Sequence, residues 1–127
     1  MKCDLVTVRT QDGVVLHGAW YEGQLDKPAV ILLPGAAVNF YSGLGAFLPA
    51  MLAEKGFACL SINHRGHDLA TAPDPINPRV IGGLYDCFED CIHDISAMIK
   101  FLGDKGATRI VLAGHSQAAV KILFYYR

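Results

Sequence analysis

Apolar and polar residues roughly alternate over residues 5–9 and again over 14–21, and Gln11-Asp12-Gly13 lies between the two runs. A period of two on either side of an Asp-Gly signal predicts a β-hairpin. After Pro28 the pattern changes to an unbroken apolar run over 29–33, as in a strand buried on both faces of a parallel sheet, and Pro34-Gly35 ends it. Apolar residues then recur at helical spacing over 44–55, Gly56 supplies a stop, and residues 57–62 form a second buried run. The stretch 63–85 contains His64, Gly66, His67, three prolines and Gly82-Gly83, which predicts a long ordered loop.

A second helix is expected over 86–102, with Phe88, Ile92, Ile95, Ile99 and Leu102 on its apolar stripe, Glu89, Asp90 and Lys100 elsewhere, and Gly103 at its end. Asp90 and Asp94 are expected on a solvated face. A short apolar run over 109–113 leads directly into Gly114-His115-Ser116-Gln117-Ala118 and then a helical pattern through Tyr125. The order hairpin, strand, helix, strand, helix, strand, turn, helix is that of an α/β layered domain. No repeat, low-complexity tract or second-domain boundary interrupts it, so residues 1–127 read as part of a single domain.

Composition narrows the function classes. With 52% hydrophobic and 18% charged residues the chain is no disordered tail, and a net charge of -1 with scattered Lys and Arg excludes a basic field for nucleic acid. Asp4 stands where a secretory leader would begin its apolar segment, and Pro34, Gly35, His115 and Ser116 break the richest apolar stretches. Neither export nor a membrane span is expected, and the expected location is cytoplasmic. Cys3, Cys59, Cys87 and Cys91 show no Cys-x-x-Cys pair and are expected to be reduced, small, buried or helical residues. Cys87 and Cys91 would share a helix face near His93 and Asp94, but packing explains that face better than a metal site, which needs four well-spaced ligands.

The candidate chemistry is at Ser116. A serine hydroxyl is a weak nucleophile unless it is displayed to a base and to donors that receive a developing oxyanion. A sharp strand-to-helix turn displays it, and the crowding there requires small residues two positions before and after, here Gly114 and Ala118. The oxyanion donors would be backbone N–H groups: Gln117, just after the nucleophile, and Ala36, in the turn after Gly35. The helix starting at the turn adds the positive end of its dipole. His115 is expected to pack rather than act as a base.

In these features the chain resembles the α/β-hydrolase family over essentially its whole length. Leu33-Pro34-Gly35 is similar to the oxyanion loop after the third strand, Asn63-His64-Arg65-Gly66-His67-Asp68 to the Arg-Gly-His-like segment after the fourth, and Gly114-His115-Ser116-Gln117-Ala118 to the nucleophile elbow after the fifth. Asn39-Phe40-Tyr41-Ser42 and Lys121 resemble serine aminopeptidase-like and lysophospholipase-like members. Pro34 replaces a commoner His, and Ala118 replaces a Gly. The resemblance implies a doubly wound, mostly parallel sheet, truncated after the elbow helix, with His64 and His67 in a structural role holding Arg65 and Asp68. It also implies a triad acid and histidine after the serine, whereas residues 117–127 contain no Asp, Glu or His.

The implied activity is hydrolysis of an ester, thioester or amide of a small-molecule acyl substrate by acyl transfer through Ser116, with no cofactor and no metal. A chain lacking the triad acid and histidine is expected to be inactive alone and to self-associate through an open sheet edge. The alternatives are a non-catalytic remnant serving as a binding module and an enzyme completed by another chain.

Overall fold

The alternation at the start of the chain closes into the expected hairpin. In the computed structural model, which describes residues 2–127, β1 (Asp4–Arg9) pairs antiparallel with β2 (Val15–Tyr21). The turn is fixed by Thr10, whose hydroxyl accepts the Val14 N–H at 2.9 Å and bonds Asp12 Oδ1 at 2.6 Å, and by Gly13 at φ +88°. Gly18 in β2 is required by close approach, since a Cβ there would lie 2.6 Å from the Ser61 carbonyl oxygen of the neighbouring strand.

The apolar runs become β3 (Ala29–Leu33), β4 (Cys59–Ile62) and β5 (Ile110–Gly114), and the sheet order is β1-β2-β4-β3-β5. β3 pairs parallel with β4 on one side and with β5 on the other, while β2 joins β4 antiparallel. The parallel part therefore carries the candidate site, and the hairpin forms the far end of the sheet. β5 has no strand beyond it among the described residues.

Three helices complete the layers: α1 (Leu48–Glu54), α2 (Cys91–Asp104) and α3 (Gln117–Tyr125). Ala29, Ile31, Leu33, Leu60 and Ile62 alternate onto one sheet face and join Ile95, Met98 and Leu102 of α2 and Ala118 and Ile122 of α3 in a single buried cluster. The other face carries Leu32 and Ser61.

Two helices differ from the expected pattern. The helix foreseen over 44–55 is split into a 3-10 turn, Gly43–Ala46, and α1, with the break at Phe47. Pro49 lies in the first turn of α1, where a missing N–H costs nothing, whereas in a continuous helix its ring would strike the carbonyl of residue 45. The second helix begins as a 3-10 turn, Phe88–Asp90, and α2 buries Cys91, Asp94, Ile95, Met98 and Leu102. Ile92, expected on the apolar stripe, is 44% exposed, and the expectation of solvent around Asp94 is overturned because that carboxylate is fully buried.

Candidate active site

At the end of β5 the chain turns through His115 and Ser116 into α3. Ser116 takes φ 58° and ψ -125°, close to the first central residue of a type II′ turn, a conformation dominated by glycine. Gly114 is confined by the same turn: a Cβ there would lie 2.8 Å from Ile122 Cδ1 and 2.9 Å from the Ala118 carbonyl carbon. The Ala118 methyl, foreseen as a crowding departure, is accommodated in the buried cluster. Ser116 itself is exposed.

The turn after β3 faces this elbow. A methyl placed on Gly35 would touch the Ser116 Cβ and the His115 carbonyl oxygen, each at 3.5 Å. Ala37, at φ 57°, donates its N–H to the Gly66 carbonyl at 3.0 Å, and Val38 donates to the Gly35 carbonyl at 3.3 Å. The N–H groups of Ala36 and Gln117 donate to no acceptor among the described residues, and Ala36 is exposed. His115 is exposed and lines a cavity with Pro34 and Gly35, which corrects the expectation that it packs.

The loop after β4 braces both turns. His64 is buried; its Nε2 donates to the Pro34 carbonyl at 3.0 Å while its Nδ1 accepts the Gly66 N–H at 3.0 Å and faces the Lys121 ammonium at 3.3 Å. This pattern assigns the Nε2–H tautomer. Burial, reinforced by Lys121, brings the imidazole down to about 4, so it is neutral at physiological pH. Lys121 lies on α3, its side chain only 1% exposed, and reaches Asp86 Oδ2 at 2.5 Å. Gly66 is confined here too, because a Cβ would lie 2.6 Å from that same carboxylate oxygen. Asp86 Oδ1 is buried with no hydrogen-bond partner.

Arg65 ties together three distant segments. Its backbone N–H and Nε donate to the two Asp94 oxygens at 2.8 and 2.9 Å, its two terminal nitrogens grip Asp12 at 2.8 and 2.9 Å, and Asp90 approaches at 3.3 Å. The guanidinium holds the Asp12 carboxyl well below the usual carboxylate range. His67 Nδ1 meets Asp68 Oδ2 at 2.6 Å, and Asn39 donates to Asp68 Oδ1 at 3.3 Å.

The chain as a whole has counterparts in solved structures. The chain superposes on an esterase of Pyrococcus furiosus with a TM-score of 0.75 and 25% identity, over 98% of this chain and 45% of that one. The fold is the α/β-hydrolase fold. An α/β-hydrolase from Novosphingobium aromaticivorans gives a TM-score of 0.66 at 25% identity, over 96% of this chain and 38% of that one. An epoxide hydrolase from a hot-environment metagenome gives 0.68 at 20%, over 98% and 37%. The chain thus spans less than half the length of these α/β-hydrolase structures. No protein-family model and no curated protein matches the sequence.

Ser116 and Gln117 lie at the turn after β5 and Ala36 in the turn after β3, next to Gly35, where an added Cβ would lie 3.5 Å from the Ser116 Cβ. Asp90, in the 3-10 turn before α2, and Asp94, on α2, are engaged by Arg65. The Lys121–Asp86 pair was not foreseen as a unit, although Lys121 is the one charged residue in the apolar run 118–126 and so carried a signal. All four cysteines are free; Cys59 and Cys91 are buried, and Cys3 and Cys87 are exposed. Among the described residues no cluster of three or more His, Cys, Asp or Glu could hold a metal ion, and no helix is long and apolar enough to cross a membrane.

Proposed function

We propose that this chain is the nucleophile-bearing part of a serine hydrolase that cleaves an ester, thioester or amide of a small acyl substrate through Ser116. The observation that carries this reading is the exposed Ser116 at φ 58°, beside the turn that holds the unbonded Ala36 N–H and close enough that a methyl added to Gly35 would touch it. Ser116 Oγ would attack the acyl carbon, and the carbonyl oxygen, becoming negative, would accept from the Ala36 and Gln117 N–H groups. The N-terminal end of α3 favours the same charge. Collapse of the resulting tetrahedral intermediate expels the alcohol, thiol or amine, which takes up the serine proton through the general base, and water then hydrolyses the acyl-enzyme and regenerates the serine.

Of the histidines bracing the site, His64 is unsuited to act as general base, because both its ring nitrogens are engaged. The α/β-hydrolase order of nucleophile, acid and histidine would put both partners after Ser116. The 127-residue chain alone is therefore expected to turn over poorly, since base assistance is typically worth about 10²–10⁴-fold. The resemblance to the serine aminopeptidase-like and lysophospholipase-like group belongs to this reading, as does a cytoplasmic setting.

The test is covalent labelling by a fluorophosphonate in a chain extended or complemented to a full fold. Labelling should be lost in Ser116→Ala, and equal labelling of variant and parent would reject Ser116 as nucleophile. The open edge of β5 favours a second reading, a binding module or an enzyme completed by another chain. A binding module predicts no labelling in any extended chain and stoichiometric capture of a partner at that edge, and an enzyme completed by another chain predicts labelling only when that partner is added.

A further inference from the structure

On the sheet face opposite the main core, a cavity of about 380 Å³ opens beside the elbow. Leu32 lies at its floor, and Val38, Leu44 and Phe47 rise around it. Pro34, Gly35 and His115 form its inner end, so it runs into the same turn whose Gly35 lies against Ser116. Among the described residues the polar side chains on its wall are Ser42, Ser61 and His115, and no Asp, Glu, Lys or Arg lines it.

The cavity is held open by structure that is already in place. Ser61 Oγ donates to the Phe40 carbonyl at 2.9 Å, and the Phe40 N–H donates to Asn63 Oδ1 at 2.7 Å. Gly45 follows without a side chain because a Cβ there would collide with that Phe40 carbonyl. The Ser42 hydroxyl is turned back onto the Asn39 carbonyl at 3.2 Å, which leaves Leu44 and Phe47 as the outer rim. A preformed, apolar recess with few polar groups is the usual form of a small-molecule site.

We propose that this recess binds the apolar chain of the substrate, and that the substrate is an ester or thioester bearing an uncharged, unbranched chain of about six to ten carbons. A methylene takes about the ~30 Å³ share of one liquid water, so the volume holds on the order of ten such groups with part of it open at the mouth. A charged chain end would be buried without a partner and is excluded. The assignment of this chain as substrate rests on the proposed role of Ser116, because only that role places the reacting carbonyl at the inner end.

Equilibrium dialysis of a radiolabelled 1-alkanol series from four to twelve carbons against the 127-residue chain tests it, since an alcohol binds without reacting. Affinity should rise about fourfold per methylene and level off at about eight to ten carbons. Val38→Trp, which fills the mouth, and Leu44→Asp, which charges the rim, should each weaken 1-octanol at least tenfold, with thermal unfolding of both variants followed as the check on folding. Leu123→Asp, on the exposed side of α3, should leave the affinity unchanged.

Non-saturable uptake, affinity that climbs through twelve carbons, or sensitivity to Leu123→Asp but not to Val38→Trp would overturn the proposal. Intact alkanol binding with no fluorophosphonate labelling of an extended chain would reject the nucleophile reading alone. Labelling without alkanol binding would reject the recess alone.

Discussion

Ser116 holds a positive φ with an L side chain, a conformation that costs about 1–3 kcal/mol and persists only where the surroundings enforce it. Glycine would relieve that cost, less about 0.5–1 kcal/mol for the freer unfolded chain. Ser116→Gly is therefore expected to raise the unfolding free energy by up to about 2 kcal/mol in a urea titration, while Ser116→Ala leaves it nearly unchanged. A further test concerns Lys121. Lys121→Met strands the buried Asp86 carboxylate and should cost about 3–5 kcal/mol, whereas adding Asp86→Leu should recover most of that loss. A third is set by His64, whose folded value lies near 4 against 6.5 for the free imidazole. The unfolded chain then binds the extra proton, so stability is full above about pH 6.5 and falls by about 1.4 kcal/mol per unit down to pH 4. Asp12, lowered by Arg65, adds a further loss below its ordinary value of 3.8. His64→Gln should flatten the first interval and leave the second in a pH series of denaturant melts. The serine and its small neighbours could be read from five consecutive residues, because a sharp turn is a local demand. Lys121 and Asp86 could not be read as a pair, since they are 35 positions apart and meet only when α3 docks.

Strands were the most legible elements, because an apolar run between Pro and Gly signals is a short-range pattern; β3 occupies the expected range and β5 is displaced by one residue. Helices were less so. The apolar spacing over 44–55 suits one helix, but Pro49 divides it, and the 3-10 turn so created forms part of the recess beside the elbow. In α2 the charge of Asp94 argued for solvent, and the burial that contradicts it depends on Arg65, 29 residues away. A buried carboxylate is tolerated only when paired and hydrogen-bonded, so the partner has to be known before the phase of the helix can be set. The open side of β5 and the outer side of α3 form another element-scale feature. Val111 is 47% exposed, Val120 55%, Leu123 71% and Tyr126 67%. An unpaired strand edge beside bare apolar side chains recruits partners. Purified alone, the 127-residue chain should self-associate in size-exclusion chromatography with light scattering, and Val120→Lys with Leu123→Lys should shift it toward monomer. A monodisperse monomeric parent chain would contradict this.

At the scale of the whole molecule, Arg65 joins what the chain order separates. The β1–β2 turn enters through Asp12, the loop after β4 through Arg65, and α2 through Asp94. A hairpin at the far end of a sheet ordinarily frays by itself, with opening energies well below that of global unfolding. Here it cannot separate from α2 without withdrawing Asp12 from the two terminal nitrogens of the buried Arg65 guanidinium, which α2 holds through Asp94. The amides of β1, β2 and α2 should therefore exchange with deuterium as one cooperative unit, with a common opening free energy. Arg65→Lys keeps the charge but loses the planar fork that grips Asp12, and should divide that unit into a fast-exchanging hairpin and a slow-exchanging helix.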